Sequence, residues 1–149
     1  MSATAGYSGT PLPKKLGLKP GHRVHVGGPA PSGFLGDVTD VTWVRQLRGP
    51  IDVAIVFTTS SADYRKRLAS VMKVLAADGS IWIAWPKRSS GVASDLSDVV
   101  IRDFAIGTTD LVDNKVCAID DTWSGLRLVV RVTARAAWPV QGSSRRQAR

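Results

Sequence analysis

The sequence of 149 residues contains no glutamate; all twelve acidic side chains are aspartates. It has a single cysteine, Cys117. That excludes an intramolecular disulfide and, with no second thiol nearby, a cysteine-based metal site. Histidine is nearly as scarce. His22 and His25 are separated by two residues, and without a third ligand they do not make a metal centre. No apolar run approaches about 18 residues, and the chain does not start with a charged segment leading into an apolar core. Neither a membrane span nor a signal peptide is therefore expected, and the cytoplasm is the default location.

What the chain has in excess is positive charge, a net +8, placed at its ends. All the aspartates lie between Asp37 and Asp121. Lys14, Lys15, Lys19 and Arg23 precede that stretch, and Arg127, Arg131, Arg135, Arg145, Arg146 and Arg149 follow it, which leaves the middle nearly neutral. Basic ends suit nonspecific phosphate contact, so nucleic-acid binding through the basic tail is one reading. No aromatic-interleaved basic stripe or helix-turn-helix pattern accompanies them. At this length the chain fits one domain that buries about two thirds of its unfolded surface. Residues 1–10 read as a flexible start, 11–134 as the domain, and 135–149 as a basic, largely disordered tail in which Trp138-Pro139-Val140 is able to dock.

Two apolar runs organise the domain. Ile51 to Phe57 and Ser80 to Trp85 offer no polar face, so each reads as an internal parallel strand. Between them Tyr64, Leu68, Val71, Met72 and Leu75 form a helical stripe. Ser60 or Ser61 is its cap, Asp63 lies in its first turn, and Gly79 is its left-handed terminator. The three elements make a βαβ unit. Ahead of them, Pro11 to Leu18 predicts a short proline-initiated helix, Arg23 to Val26 a strand, Ser32 to Leu35 a short helical piece, and Val41 to Val44 a second short strand. Beyond them, Ser94 is the expected cap of a second helix with the stripe Leu96, Val99, Val100, Phe104, closed near Gly107. Leu111–Ile119 and Leu126–Val132 are strands joined by about six residues, too few for a parallel crossover, so they run antiparallel. The fold class is α/β: a three-layer-like, Rossmann-type mixed sheet, mostly parallel, with a C-terminal antiparallel hairpin.

That order of elements resembles the second half of the Rossmann-like methyltransferase architecture, although the glycine-rich loop and the acid ending its second strand have no clear counterparts. More specifically, three stretches resemble an actinobacterial family of uncharacterised proteins, domain of unknown function 3052. They are Tyr7 to Gly17, Ile81 to Lys87 with Ser90-Gly91, and Leu111 to Ala118 followed by Thr122 to Arg127. The resemblance implies an actinobacterial cytoplasmic protein and brings no established activity.

Ligands of open parallel sheets bind at the carboxyl ends of the strands. There the sequence gathers Gly27 and Gly28, Thr58, Lys87, and Asp120 and Asp121. A small anion would take donors from Lys87, Thr58 and the Gly27 turn, with Trp85 or Trp123 as a stacking wall. Against this, the spacing Gly27, Gly28, Gly33 is not the dinucleotide fingerprint, and Pro29 and Pro31 remove backbone donors. Lys87 or Arg88 pairing with Asp120 or Asp121, with both tryptophans in the core, is the favoured structural alternative. Cys117 reads as an inert thiol in mid-strand. His22 and His25 read as too far from the carboxyl edge to act as bases there. No catalytic set, metal or cofactor is assigned. The leading reading is a non-enzymatic binding or interaction module, with a homodimer expected because the arginine-bearing face of the last strand needs a cover. The alternative is a nucleotide- or S-adenosylmethionine-type small-molecule binder or degenerate methyltransferase.

Overall fold

Seven consecutive buried residues, Ile51 to Phe57, form a strand covered on both faces, apolar throughout except for Asp52, whose Oδ2 accepts from the Arg23 N–H. The computed structural model describes residues 9–141. Expectations for the extreme start of the chain and for the basic end beyond Gln141 lie outside them.

The elements in chain order are α1 (Leu12–Lys15), β1 (Arg23–Gly27), β2 (Thr42–Trp43), β3 (Ile51–Phe57), α2 (Ser61–Met72), β4 (Leu75–Pro86), α3 (Asp98–Thr108), β5 (Leu111–Ala118) and β6 (Trp123–Val130). One six-stranded sheet has the order β2-β1-β3-β4-β6-β5. The strands β2, β1, β3 and β4 are parallel, while β6 is antiparallel to both β4 and β5. The expected mixed Rossmann-type sheet with its antiparallel hairpin is therefore what the chain forms. The order reverses direction between β1 and β3, whose connections leave toward opposite sides of the sheet.

Two cores flank the sheet. On one side α2, α3 and the segment around Trp138 cover Ile81, Ile83, Leu126 and Leu128. Trp138 is buried and its Nε1–H donates to the Leu75 carbonyl at 2.7 Å, so the packed chain continues past residue 134. On the other side Leu16, Phe34 and Leu35 cover Ile55, Phe57 and Trp82. The Trp82 Nε1–H donates to the Leu16 carbonyl at 2.9 Å, which ties the short helix to the central strand. The face expected to be bare is thus covered over β1, β3 and β4, and only its β5–β6 end, around Lys115 and Arg127, stays partly open.

Several boundaries differ from the sequence reading. Gly79 does not end α2. It lies inside β4, where a Cβ would meet the Asp52 carbonyl oxygen at 2.9 Å, and Leu75 belongs to the strand because it pairs with Ile51. Ser97, not Ser94, caps α3 by accepting from the Val100 N–H at 3.2 Å. Ser60 caps α2, as expected, by accepting from the Asp63 N–H, and Asp95 adds a bond from the Ser61 N–H. The buried residues of α3 are Ile101 and Ala105, while Val99 faces solvent. Residues 32–35 form turns rather than a helix. The last strand starts earlier, at Trp123, and stops at Val130, because the Arg131 N–H donates to the Asp110 carbonyl and the chain turns away, leaving Val132 exposed.

Candidate functional site

The carboxyl edge does collect the segments expected there, but in two separate groups. Gly27 pairs with Val56, and Gly28 lies against the end of β3, at the point where strand order reverses. Lys87 lies beyond β4, where its N–H donates to the Thr122 carbonyl at 2.7 Å. The proposed stacking wall does not exist. Trp85 packs in the core under α2 and α3, whereas Trp123 lies on the opposite face, edge-on to Phe57 at 5.0 Å between ring centroids.

The remaining candidates are taken up locally. Thr58 is fully buried; its hydroxyl donates to Asp63 Oδ2 at 2.7 Å and its N–H to the Ala84 carbonyl. Asp120 Oδ1 accepts from the N–H groups of Thr122 and Trp123, both at 2.8 Å, an ordinary turn for an aspartate. The expected pairing with Lys87 or Arg88 is not formed among the described residues, and Asp121 is exposed in the same turn. Asp113 pairs with Arg102 at 2.9 Å, a structural role, as its place at the start of its strand suggests. Burial pushes the half-buried Cys117 thiol upward in pKa, only partly offset by Lys15 and Lys115, which suits an unreactive group.

A cleft of about 320 Å³ opens at the strand-order reversal. Its floor is His25 and Gly27 of β1 with Val56 of β3, and its wall is α2, through Asp63, Lys66 and Arg67. His25, read as too far from this edge, lines the cleft. Strand alternation puts residues 25 and 27 on the same side, and with no side chain at 27 the imidazole reaches the opening. His25 is only 9 % exposed, and its Nδ1 lies 2.8 Å from the Val44 carbonyl oxygen. A carbonyl only accepts, so Nδ1 carries the hydrogen, and in the neutral ring Nε2 then presents a lone pair. No protein group satisfies that lone pair among the described residues. A Cβ on Gly27 would stand 3.2 Å from Nε2 and 3.6 Å from Arg67 Nη1, so the glycine keeps the cleft open.

The opposite wall is a fixed charge relay. Ser60 Oγ accepts from the Asp63 N–H, and Asp63 Oδ2 accepts from both Thr58 and Arg67 Nε, the latter at 2.8 Å. Burial pulls the Asp63 carboxyl upward, but the Thr58 hydroxyl and the Arg67 guanidinium outweigh it and hold its pKa below the ordinary value. Arg67 is thereby held in place. Lys66, exposed beside it, forms no ion pair among the described residues. Those residues contain no group of three metal-ligating side chains.

No family model matches the sequence, and no curated protein does either. Among solved structures the chain is similar to TrmN from Thermus thermophilus, at TM-score 0.50 and 10% identity, over 80% of this chain and 47% of that one. It is also similar to a putative type 11 methyltransferase from Sulfolobus solfataricus, at TM-score 0.49 and 15% identity over 80% of this chain and 89% of the other. A third likeness, at TM-score 0.48 and 12% identity over 80% and 92%, is to an rRNA methylase from Streptococcus thermophilus. The likeness to the first establishes a methyltransferase-like Rossmann fold, and the chain spans less than half of that protein's length.

Proposed function

We propose that this chain is a small-molecule-binding module that uses a methyltransferase-like fold without its methyl-transfer machinery, and that the cleft beside His25 is the binding site. The observation that carries this reading is the open lone pair of a buried, tautomerically fixed histidine, facing a space that Gly27 leaves free. Crevices at the point of strand-order reversal are where ligands of open α/β sheets bind. Assignment to the actinobacterial family whose motifs the sequence resembles belongs to the same proposal.

S-adenosylmethionine, which the fold implies, is a poor fit to these residues. The turn after β1 holds two prolines, and Gly28 is pressed against the Phe57 carbonyl rather than facing an open cradle. The segment following β2, Val44 to Arg48, carries two arginines and no carboxylate to take a ribose diol. The cleft cations Lys66 and Arg67 would repel a sulfonium. A thermal-shift screen of nucleotides, phosphorylated metabolites and S-adenosylmethionine, run on wild type and Gly27→Val, tests the reading. Shifts lost in the variant support it. A panel without any shift at millimolar ligand overturns it.

Self-association is a second reading with its own observation. Arg127 Nε is buried without a hydrogen-bond partner on the half-covered β5–β6 face, and β5 is an edge strand with Val116 55% exposed. Light scattering at micromolar concentration that returns a clean monomer removes the homodimer.

A further inference from the structure

We infer that the ligand of this cleft is a small anion bearing a hydroxyl hydrogen, a hydrogen phosphate or the monoanion of a phosphomonoester, with its charge held by Lys66 and Arg67 and its hydrogen accepted by His25 Nε2. The inference rests on the binding reading above and narrows it to one chemical class. Three features of the site converge on that class.

The first is the fixed tautomer. With Nδ1–H committed to the Val44 carbonyl, His25 in its neutral form only accepts at Nε2, so the partner of that form must bring a donor. A fully deprotonated carboxylate or a bare halide brings none. The second is the charge. Lys66 and Arg67 meet one carboxylate, Asp63, which Arg67 and the Thr58 hydroxyl already share, so a cation without an acidic partner faces the opening. Planar guanidinium and mobile ammonium groups are the side chains that hold phosphate oxygens. The third is size. About 320 Å³ is near the lower end of ligand pockets, enough for a phosphate with a small attached group and too little for a dinucleotide. Leu47, Val56 and Val71 supply apolar wall for the attached group.

The test is calorimetric titration of the full chain with inorganic phosphate, ribose 5-phosphate, adenosine 5′-monophosphate and adenosine. Binding by the phosphate-bearing ligands and not by adenosine is expected. Binding of phosphate alone, with no gain from ribose or adenosine, identifies free phosphate as the source, and a gain identifies a phosphomonoester. Lys66→Gln should weaken phosphate-bearing ligands about tenfold. His25→Asn retains a donor toward the Val44 carbonyl while removing Nε2, and it should weaken them similarly. Gly27→Val should abolish binding, with Gly27→Ala as the milder variant should the valine disturb folding. If adenosine binds as well as its monophosphate, or Lys66→Gln changes nothing while Gly27→Val abolishes binding, the anion assignment falls and the cleft stands. If both Gly27 variants fold and bind like wild type, the cleft itself is refuted. Absence of binding by every phosphate-bearing ligand at millimolar concentration overturns the inference.

Discussion

Replacing Gly28 by alanine separates a structural glycine from a ligand-cradling one. Gly28 has φ +80, and a Cβ there would lie 1.8 Å from the Phe57 carbonyl oxygen and 2.8 Å from its carbon. The obstacle is backbone at the end of an internal strand whose seven residues are all buried, so it cannot swing aside like a side chain. Gly33 is the built-in control, with φ +68 and nothing within 4 Å of the same added atom. Both alanines bear the left-handed cost of about 1–2 kcal/mol. Only Gly28→Ala adds the displacement of packed structure, about 1–3 kcal/mol more. Urea denaturation should therefore place Gly28→Ala about 2 kcal/mol below Gly33→Ala, and the melting temperature should follow at about 2–4 °C per kcal/mol. Equal stabilities within about 0.5 kcal/mol would mean that the turn does not close on β3 and that the argument against a nucleotide cradle fails.

Four further expectations concern groups around the site and core. Tyr64 is fully buried with its hydroxyl donating to the Ile101 carbonyl at 2.8 Å, so Tyr64→Phe should cost about 1–2 kcal/mol in chemical denaturation. Burial also pushes the Tyr64 phenol well above its ordinary value; the stability tied to its neutral form is complete below pH ~10 and is lost as pH rises toward the folded pKa. Ultraviolet absorbance should accordingly show its phenolate appearing only with unfolding. The lowered Asp63 pKa acts in the opposite sense, stabilising above the ordinary carboxylate range and failing as pH falls through the folded value, so Asp63→Asn should flatten the acid limb of the stability profile. Trp138→Ala should cost about 3 kcal/mol, because it empties a buried site and leaves the Leu75 carbonyl without its donor; a loss under about 0.5 kcal/mol would show that the segment past residue 134 does not dock.

The framework of the fold was legible because its strongest signals are one-dimensional. The almost wholly apolar run Ile51 to Phe57 and the unbroken one Ile81 to Trp85 read as doubly covered strands, and a short connection before Leu126 permits only a hairpin. Boundaries were harder where two geometries bury the same residues. Leu75 completes a helical stripe and also begins β4, and only its pairing with Ile51 decides, carrying Gly79 into the strand. Ser94 and Ser97 are equally good caps in isolation; in the fold Ser94 accepts from the Leu96 N–H in the preceding loop, and Ser97 accepts from the Val100 N–H at the start of α3. The site was legible only in outline. Gly27, Gly28 and Thr58 stand at the reversal point, but Lys87, Asp120 and Asp121 belong to local structure two strands away, and Trp85 and Trp123 are divided by the sheet. His25 was present in the pattern all along. Two residues before a terminal glycine on the same face, an imidazole projects over the strand end, a consequence of the period of two rather than of distance along the chain.

The central claim is that His25 Nε2 accepts a hydrogen from a bound phosphate group. Nitrogen-15 spectra of the imidazole, recorded at neutral pH with and without inorganic phosphate, address it directly. The account predicts a protonated Nδ1 and an unprotonated Nε2 in the free protein, with the Nε2 resonance shifting on phosphate addition in wild type and staying unchanged in Gly27→Val. An Nε2 resonance that ignores phosphate, or that shifts equally in the variant, would contradict it.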